Sequence, residues 1–132
     1  MTLMDFRATH LDGVLELCSA EGWQSLPSDP QRALRVLTCR GGRTVVAEDR
    51  TVVLGVCQVL SDGEFQAYCS LLLVGANCRR QGLGRTLLLT ALERAGGERL
   101  DLLAEATAVD FYRRFRHREW AGFRIYPDPV GE

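Results

Sequence analysis

From Arg43 on, the runs "RTVVAED", "TVVLGVCQVL" and "EFQAYCSLLLV" are dense in β-branched and apolar residues and are separated by "EDR" and "SDG" at hairpin spacing. Asp62-Gly63 is the stronger of the two turn signals. This pattern demands an antiparallel meander of three strands, and the rest of the chain must be arranged around it. The third run is apolar throughout Leu71 to Val74, which predicts a central strand covered on both faces. It leads straight into "GANCRRQGLG" and then a helix with Leu83, Leu87, Ala91 and Ala95 at four-residue steps, stopped by Gly96-Gly97.

The flanks supply the remaining elements. "TLMDFRATH" is a short candidate strand, and "LDGVLELCSAEG" carries Leu11, Val14, Leu15 and Cys18 at helical spacing up to Gly22. In "SLPSDPQRALRVL", Ser28 or Asp29 is the expected N-cap, Pro30 lies in the first turn, and Ala33, Leu34 and Leu37 form the buried stripe. After the central helix, "RLDLLAE" reads as a fifth strand. "TAVDFYRRFRH" reads as a helix with Thr107 as cap and Val109, Phe111 or Tyr112, and Phe115 buried, and "WAGFRIYP" as a last strand ended by Pro127. The order β-α-α-β-β-β-α-β-α-β is mixed α+β, a mainly antiparallel sheet with helices on both faces, and the crossover through the central helix makes the fourth and fifth strands parallel. With 46% apolar and 25% charged residues over 132 positions, one domain spanning 1–132 is expected.

Charge and cysteine usage exclude several function classes. A net charge of −1 provides no overall basic field for nucleic acid, so any anion site must be local. No run approaches the roughly 18 apolar residues of a membrane span, and "MTLMDFRATH" lacks signal-peptide features, which together point to the cytoplasm. Five cysteines, without a CxxC pair, suit buried free thiols better than disulfides or a metal site, and no metal is expected. All 16 basic residues are arginine, so neither a Walker lysine nor a lysine Schiff base is available.

The glycine loop carries the clearest chemistry. Unpaired amides at a helix start, with the positive end of the helix dipole, form an anion site, and glycine lets a phosphate approach the main chain. Gly82 and Gly84 stand where this requires them, and Arg79, Arg80 and Arg85 add charge. A Walker A loop is excluded for want of lysine, and a dinucleotide fingerprint would put Leu87 at its third glycine. A phosphate cradle and a plain tight turn from strand to helix both remain open from the residues alone.

"RRQGLG", Arg79 to Gly84, fits the Gln-or-Arg, two residues, Gly, one residue, Gly-or-Ala signature of the GCN5-related N-acetyltransferases. "VDFYRRF", 109 to 115, resembles a later helix of that family, and the element order is similar over nearly the whole chain. The resemblance implies acetyl-coenzyme A as co-substrate. Its pyrophosphate would rest on backbone amides from Arg80 to Thr86, in a loop made of Arg79, Arg80, Gln81, Gly82, Leu83, Gly84, Arg85 and Thr86. Its pantetheine arm would lie between splayed fourth and fifth strands against the main chain of Leu72, Leu73 and Val74, with the Val74 N–H polarising the thioester carbonyl.

The same resemblance puts Tyr112 at the general-acid position, where a phenol donates to the departing sulfur; a tyrosine that only packs against the cofactor is the other reading. An alkylamine is about 99.9% protonated at neutral pH, so a base or a water chain is expected. Many relatives carry a glutamate on the fourth strand. This chain has "YCSLLLV" there, with Ser70 as the polar hydroxyl. Asp62, Glu64, Glu48 and Glu105 lie at strand ends, with Glu105 or a water chain preferred, and His117 is a further alternative. The acceptor is expected among Trp23, Gln24, Ser25, Asp62, Gln66 and Tyr68, although Trp23 also fits as a core plug. Arg113 to Arg118 suit an acidic partner, the coenzyme's 3′-phosphate or plain solvent. Relatives often continue with Gly-Phe directly after the tyrosine helix, whereas here "AGFRIYP" is delayed and little chain remains for a seventh strand, so a homodimer completing the sheet is one expectation. The implied activity is direct attack of a small-molecule or peptide amine on acetyl-coenzyme A; the alternative is a non-catalytic acyl-coenzyme A sensor acting through a protein partner.

Overall fold

The computed structural model describes residues 1–128. They fall into two compact units, Met1 to Leu102 and Leu103 onward. The first contains β1 (Thr2–Asp5), a 3-10 turn (Ala8–His10), α1 (Leu11–Ala20), α2 (Pro30–Leu37), β2 (Gly42–Asp49), β3 (Val52–Ser61), β4 (Gln66–Val74), a second 3-10 turn (Ala76–Cys78), α3 (Leu83–Ala95) and β5 (Arg99–Asp101). The sheet runs β1-β2-β3-β4-β5. Its first three pairings are antiparallel and β4–β5 is parallel, as a helical crossover requires.

Local chemistry sets the helix boundaries. Asp29 is the cap of α2, its Oδ1 accepting the Arg32 N–H at 3.2 Å, while the Ser28 hydroxyl donates back to the Ser25 carbonyl. On one face of the sheet Val14, Leu17 and Cys18 of α1 and Leu37 of α2 bury Val46, Val56, Leu71 and Leu73. On the other, Leu83, Leu87, Leu88 and Ala91 of α3 are buried, and α3 packs across β2, β3 and β4. Gly55 leaves the helix room to approach the sheet: a Cβ there would stand 2.7 Å from Leu87 Cδ1 and 3.1 Å from the Leu73 carbonyl oxygen.

β4 departs from the expectation of full cover on both faces. A bulge leaves Ser70 unpaired between the Val59–Cys69 and Gln58–Leu71 pairs. The extra residue reverses the alternation, so Cys69 and Leu71 are both buried but on opposite faces, and Leu72 and Val74 remain half-buried. β5 is also shorter than "RLDLLAE". It pairs only as Gln66–Arg99, Ala67–Leu100 and Tyr68–Asp101. From Cys69 to Val74 the outer edge of β4 has no strand partner among the described residues.

The second unit is small. A 3-10 turn (Ala106–Ala108) leads into α4 (Val109–Arg113), which ends well before His117. Thr107 lies inside that turn and caps nothing. Phe111, Tyr112 and Phe115 cluster edge-on and stacked, with ring centroids 4.9 to 6.4 Å apart, and are half-buried. "WAGFRIYP" forms no strand: Trp120, Phe123 and Ile125 are 79, 80 and 87% exposed. A strand needs a ladder partner, and the described residues supply none for this segment. Among them, no helix is long and apolar enough to cross a membrane.

Candidate active site

The glycine loop is held by unusual backbone. Gly75 closes β4 by donating its N–H to the Leu54 carbonyl at 2.8 Å, and Arg80 and Gly82 then adopt φ of 64° and 79°. Gly82 is the N-cap of α3 in the left-handed region, where a Cβ is disfavoured. Its carbonyl takes the Thr86 N–H at 3.1 Å and the Thr86 hydroxyl at 3.0 Å. Thr86 is therefore already inside the helical ladder, and its amide is not presented to a ligand. The amides of Leu83 and Gly84 precede that first helical bond and head a 13-residue helix at its positive end. Gly84 has no left-handed φ, so the fold does not need glycine there for its backbone angles. The Leu83 side chain is 5% exposed and belongs to the core, leaving only its main chain for a ligand.

Arg79 is engaged elsewhere. Its Nε donates to the Val74 carbonyl at 3.3 Å and its terminal nitrogen bonds the Glu21 carboxylate at the end of α1. Sequence reasoning missed Glu21. An acid at the negative end of a helix was the available signal, since the dipole opposes it and a cation must compensate.

Beside this loop lies the open edge of β4. Backbone groups alternate along an antiparallel strand, so the inward Gly75 N–H fixes the pattern: Leu73 turns its peptide toward Val56, while Leu72 and Val74 turn theirs to the unpaired edge. Of the three residues expected to meet an extended ligand, two present main-chain groups and Leu73 does not.

The acceptor candidates separate. A hollow of about 430 Å³ is lined by Cys39, Arg40, Leu60, Asp62, Gln66 and Tyr68, among others. Trp23 is not part of it; it follows α1, 39% exposed, with its N–H on the Cys18 carbonyl at 2.8 Å. Asp62 and Gln66 are occupied with structure. The Asp62 carboxylate accepts the amides of Glu64 and Phe65 at 2.8 Å each and that of Gln66 at 3.2 Å, closing the β3–β4 turn. Gln66 donates to Asp101 at 2.9 Å and accepts from Arg99 at 2.6 Å, tying β4 to β5. Tyr68, 36% exposed, remains available.

The turn amides hold the Asp62 carboxyl below the usual carboxylate range. A depressed folded pKa contributes stability that is present above the unfolded value of about 3.9 and is lost as pH falls through the folded value. Asp62→Ala should accordingly lower stability at pH 7, with the deficit against wild type shrinking below about pH 4. Denaturant melts across that range check this, and a deficit that does not change with pH counts against it.

No carboxylate stands on β4. The Ser70 hydroxyl donates at 2.7 Å to Gln58 Oε1, and Gln58, 2% exposed, donates to the Val36 carbonyl at 2.6 Å. Ser70 thus anchors a buried amide at the bulge. Glu48 faces His10 Nε2 at 3.5 Å. Glu105 lies four residues past β5, exposed, at the start of the 3-10 turn, and not at a strand end as expected, because pairing stops at Asp101. His117 bonds the Phe115 carbonyl at 2.7 Å and Glu119 at 3.0 Å. Both contacts raise its pKa and favour the protonated ring, the wrong form for accepting a proton. Glu119, also held by Arg113 at 3.0 Å, is pulled down to about 2. Among the described residues no group of three or more His, Cys, Asp or Glu side chains is placed to hold a metal ion. All five cysteines are free thiols, with Cys18, Cys57 and Cys69 buried.

Comparison with known proteins adds three findings. The model of the acetyltransferase (GNAT) family matches residues 10–117. No curated protein sequence matches the chain. Solved structures match its fold throughout. A transcriptional regulator from Bacillus halodurans C-125 superposes with a TM-score of 0.78 at 19% identity, covering 95% of this chain and 98% of that one. An acetyltransferase of the GNAT family from Streptococcus pneumoniae TIGR4 gives 0.75 at 23% identity, covering 96% and 98%. AAC(6')-Iy, in complex with a bisubstrate analog of coenzyme A and acetylneamine, gives 0.77 at 14% identity, covering 96% and 97%.

Proposed function

Because the chain belongs to the acetyltransferase (GNAT) family, we propose that it moves an acetyl group from acetyl-coenzyme A to an amine of a small molecule or peptide by direct attack. One observation carries this reading: the helix-capping amides behind Gly82 and the unpaired β4 edge at Leu72 and Val74 are consecutive along one strand-loop-helix unit. They offer anion-binding and strand-pairing groups in the order that a diphosphate and an amide-bearing arm need. Gly84 supports it further, since glycine in a helix costs about 1 kcal/mol against alanine and no backbone angle requires it.

When bound, the thioester supplies the activated acetyl group; the chain supplies position and polarity. In this reading the amides of Gly82, Leu83 and Gly84 hold the diphosphate, assisted by the charge of Arg80 and Arg85. The main chain of Leu72 and Val74 holds the pantetheine arm, and the outward Val74 N–H is the donor to the carbonyl oxygen. Tyr112 is proposed to protonate the departing thiolate, on the strength of its place in "FYRRF". Glu105 or solvent takes the amine proton; Glu105 is exposed and in contact with water. Tyr68 and the hollow beside it are the proposed acceptor surface, and the bisubstrate analog of coenzyme A and acetylneamine bound by AAC(6')-Iy supports that acceptor class.

Isothermal calorimetry with acetyl-coenzyme A, followed by thiol release across a panel of amines, tests the reading. Wild type should bind the coenzyme and turn over at least one amine, and Tyr112→Phe should keep the affinity while lowering kcat about 10- to 100-fold. The absence of a β4 carboxylate favours one second reading, a coenzyme-binding regulator without turnover. Binding without release on any amine would select it. Three exposed apolar side chains, Trp120, Phe123 and Ile125, support a homodimer, which sedimentation would detect.

A further inference from the structure

The contact between Glu21 and Arg79 links the glycine loop back to the end of α1. The two residues are 58 positions apart, and the Glu21 side chain is only 19% exposed. Arg79 reaches both the Glu21 carboxylate and the Val74 carbonyl, which pulls the loop's first residue against the end of β4. Immediately afterwards the chain takes a left-handed step at Arg80, a non-glycine residue with φ 64°. Such a residue stays there only where its surroundings hold it. Glu21 also terminates α1, its N–H bonding back to Leu17 and Cys18, so its own backbone is fixed.

We propose that Glu21 is a positioning residue for coenzyme binding. Through Arg79 it braces the start of the 79–82 loop and the Val74 peptide, and it withdraws the Arg79 guanidinium from the anion site. The brace makes the first arginine of "RRQGLG" a structural tie, and leaves the contact with the phosphates to the rest of the loop and the helix amides. This rests on the proposed binding of acetyl-coenzyme A, but its first consequence does not. In the ligand-free protein, Glu21→Gln should speed amide hydrogen exchange across 79–82 about fivefold or more, while the exchange of β2 and β3 and the Tm stay at wild-type values.

Coenzyme affinity provides the second readout. Glu21→Gln and Arg79→Gln should each weaken acetyl-coenzyme A binding about fivefold, the size of one well-placed ion pair with a partly buried partner, and the double variant should lose no more than either single one. The exchanged pair Glu21→Arg with Arg79→Glu should bind more tightly than either of its single substitutions. Tighter binding in Glu21→Gln would mean that Arg79, once released, grips phosphate, and would overturn the proposal. Multiplicative losses in the double variant, or unchanged loop exchange, would overturn it too. If wild type fails to bind the coenzyme at all, the functional reading falls, and the exchange measurement still decides whether the brace exists.

Discussion

Gly84→Asp should abolish acetyl-coenzyme A binding while leaving the protein at least as stable as wild type. The two effects have opposite signs because one site serves two electrostatic purposes. An aspartate in the first turn of α3 faces the positive end of the helix dipole and replaces a glycine that no backbone angle requires, which stabilises by about 1 kcal/mol. The same carboxylate stands where a diphosphate would be bound. Two like charges about 4 Å apart at an effective dielectric of 20 repel by about 4 kcal/mol, so a loss of at least about 100-fold is expected after screening. Calorimetry and a thermal melt on the same sample check both halves. Retained affinity would show that the phosphates lie elsewhere, and a large fall in Tm would show that Gly84 is there for the fold.

Leu87→Ala should be among the most destabilising single changes in the first unit. Leu87 is fully buried, and its Cδ1 fills the space above Gly55 on β3. Truncation leaves a cavity that rigid β3 cannot close, at a cost of about 2–5 kcal/mol, or a fall in Tm of about 10 to 20 °C. Gly55→Ala attacks the same contact from the other side: its Cβ meets the Leu87 methyl and, less forgivingly, the Leu73 carbonyl oxygen. A cost of about 1–3 kcal/mol is expected. Combining the two should recover part of the loss at the methyl and none at the carbonyl. Strict additivity in denaturant melts would mean that helix and strand are not packed through this pair.

Much of this molecule is written in local pattern. The period-two runs after Arg43, the Asp62-Gly63 turn, Asp29 before Pro30 and the four-residue leucine step from Leu83 each specify an element by chemistry within a few residues, and each element forms. The glycine loop was legible for the same reason, since a helix start needs only its own amides and the freedom of Gly82 to adopt φ 79°. Patterns that depend on a distant partner were misread. "RLDLLAE" and "WAGFRIYP" have strand composition, but pairing ends at Tyr68–Asp101 and nothing described pairs with the second.

The same division runs through the candidate site. Residue type marked Asp62 and Gln66 as polar groups suited to an acceptor; three turn amides and Arg99 with Asp101 claim them in the folded chain. Arg79 read as a phosphate ligand and is held by Glu21, a residue no local motif singles out. The sequence by itself determined the elements, the central meander and the chemistry of the loop, because propensity, turn formation and helix capping act over a handful of neighbouring residues. Only tertiary structure decided which charges remain available and where β4 loses its partner, because long-range pairing satisfies polar groups from positions tens of residues apart.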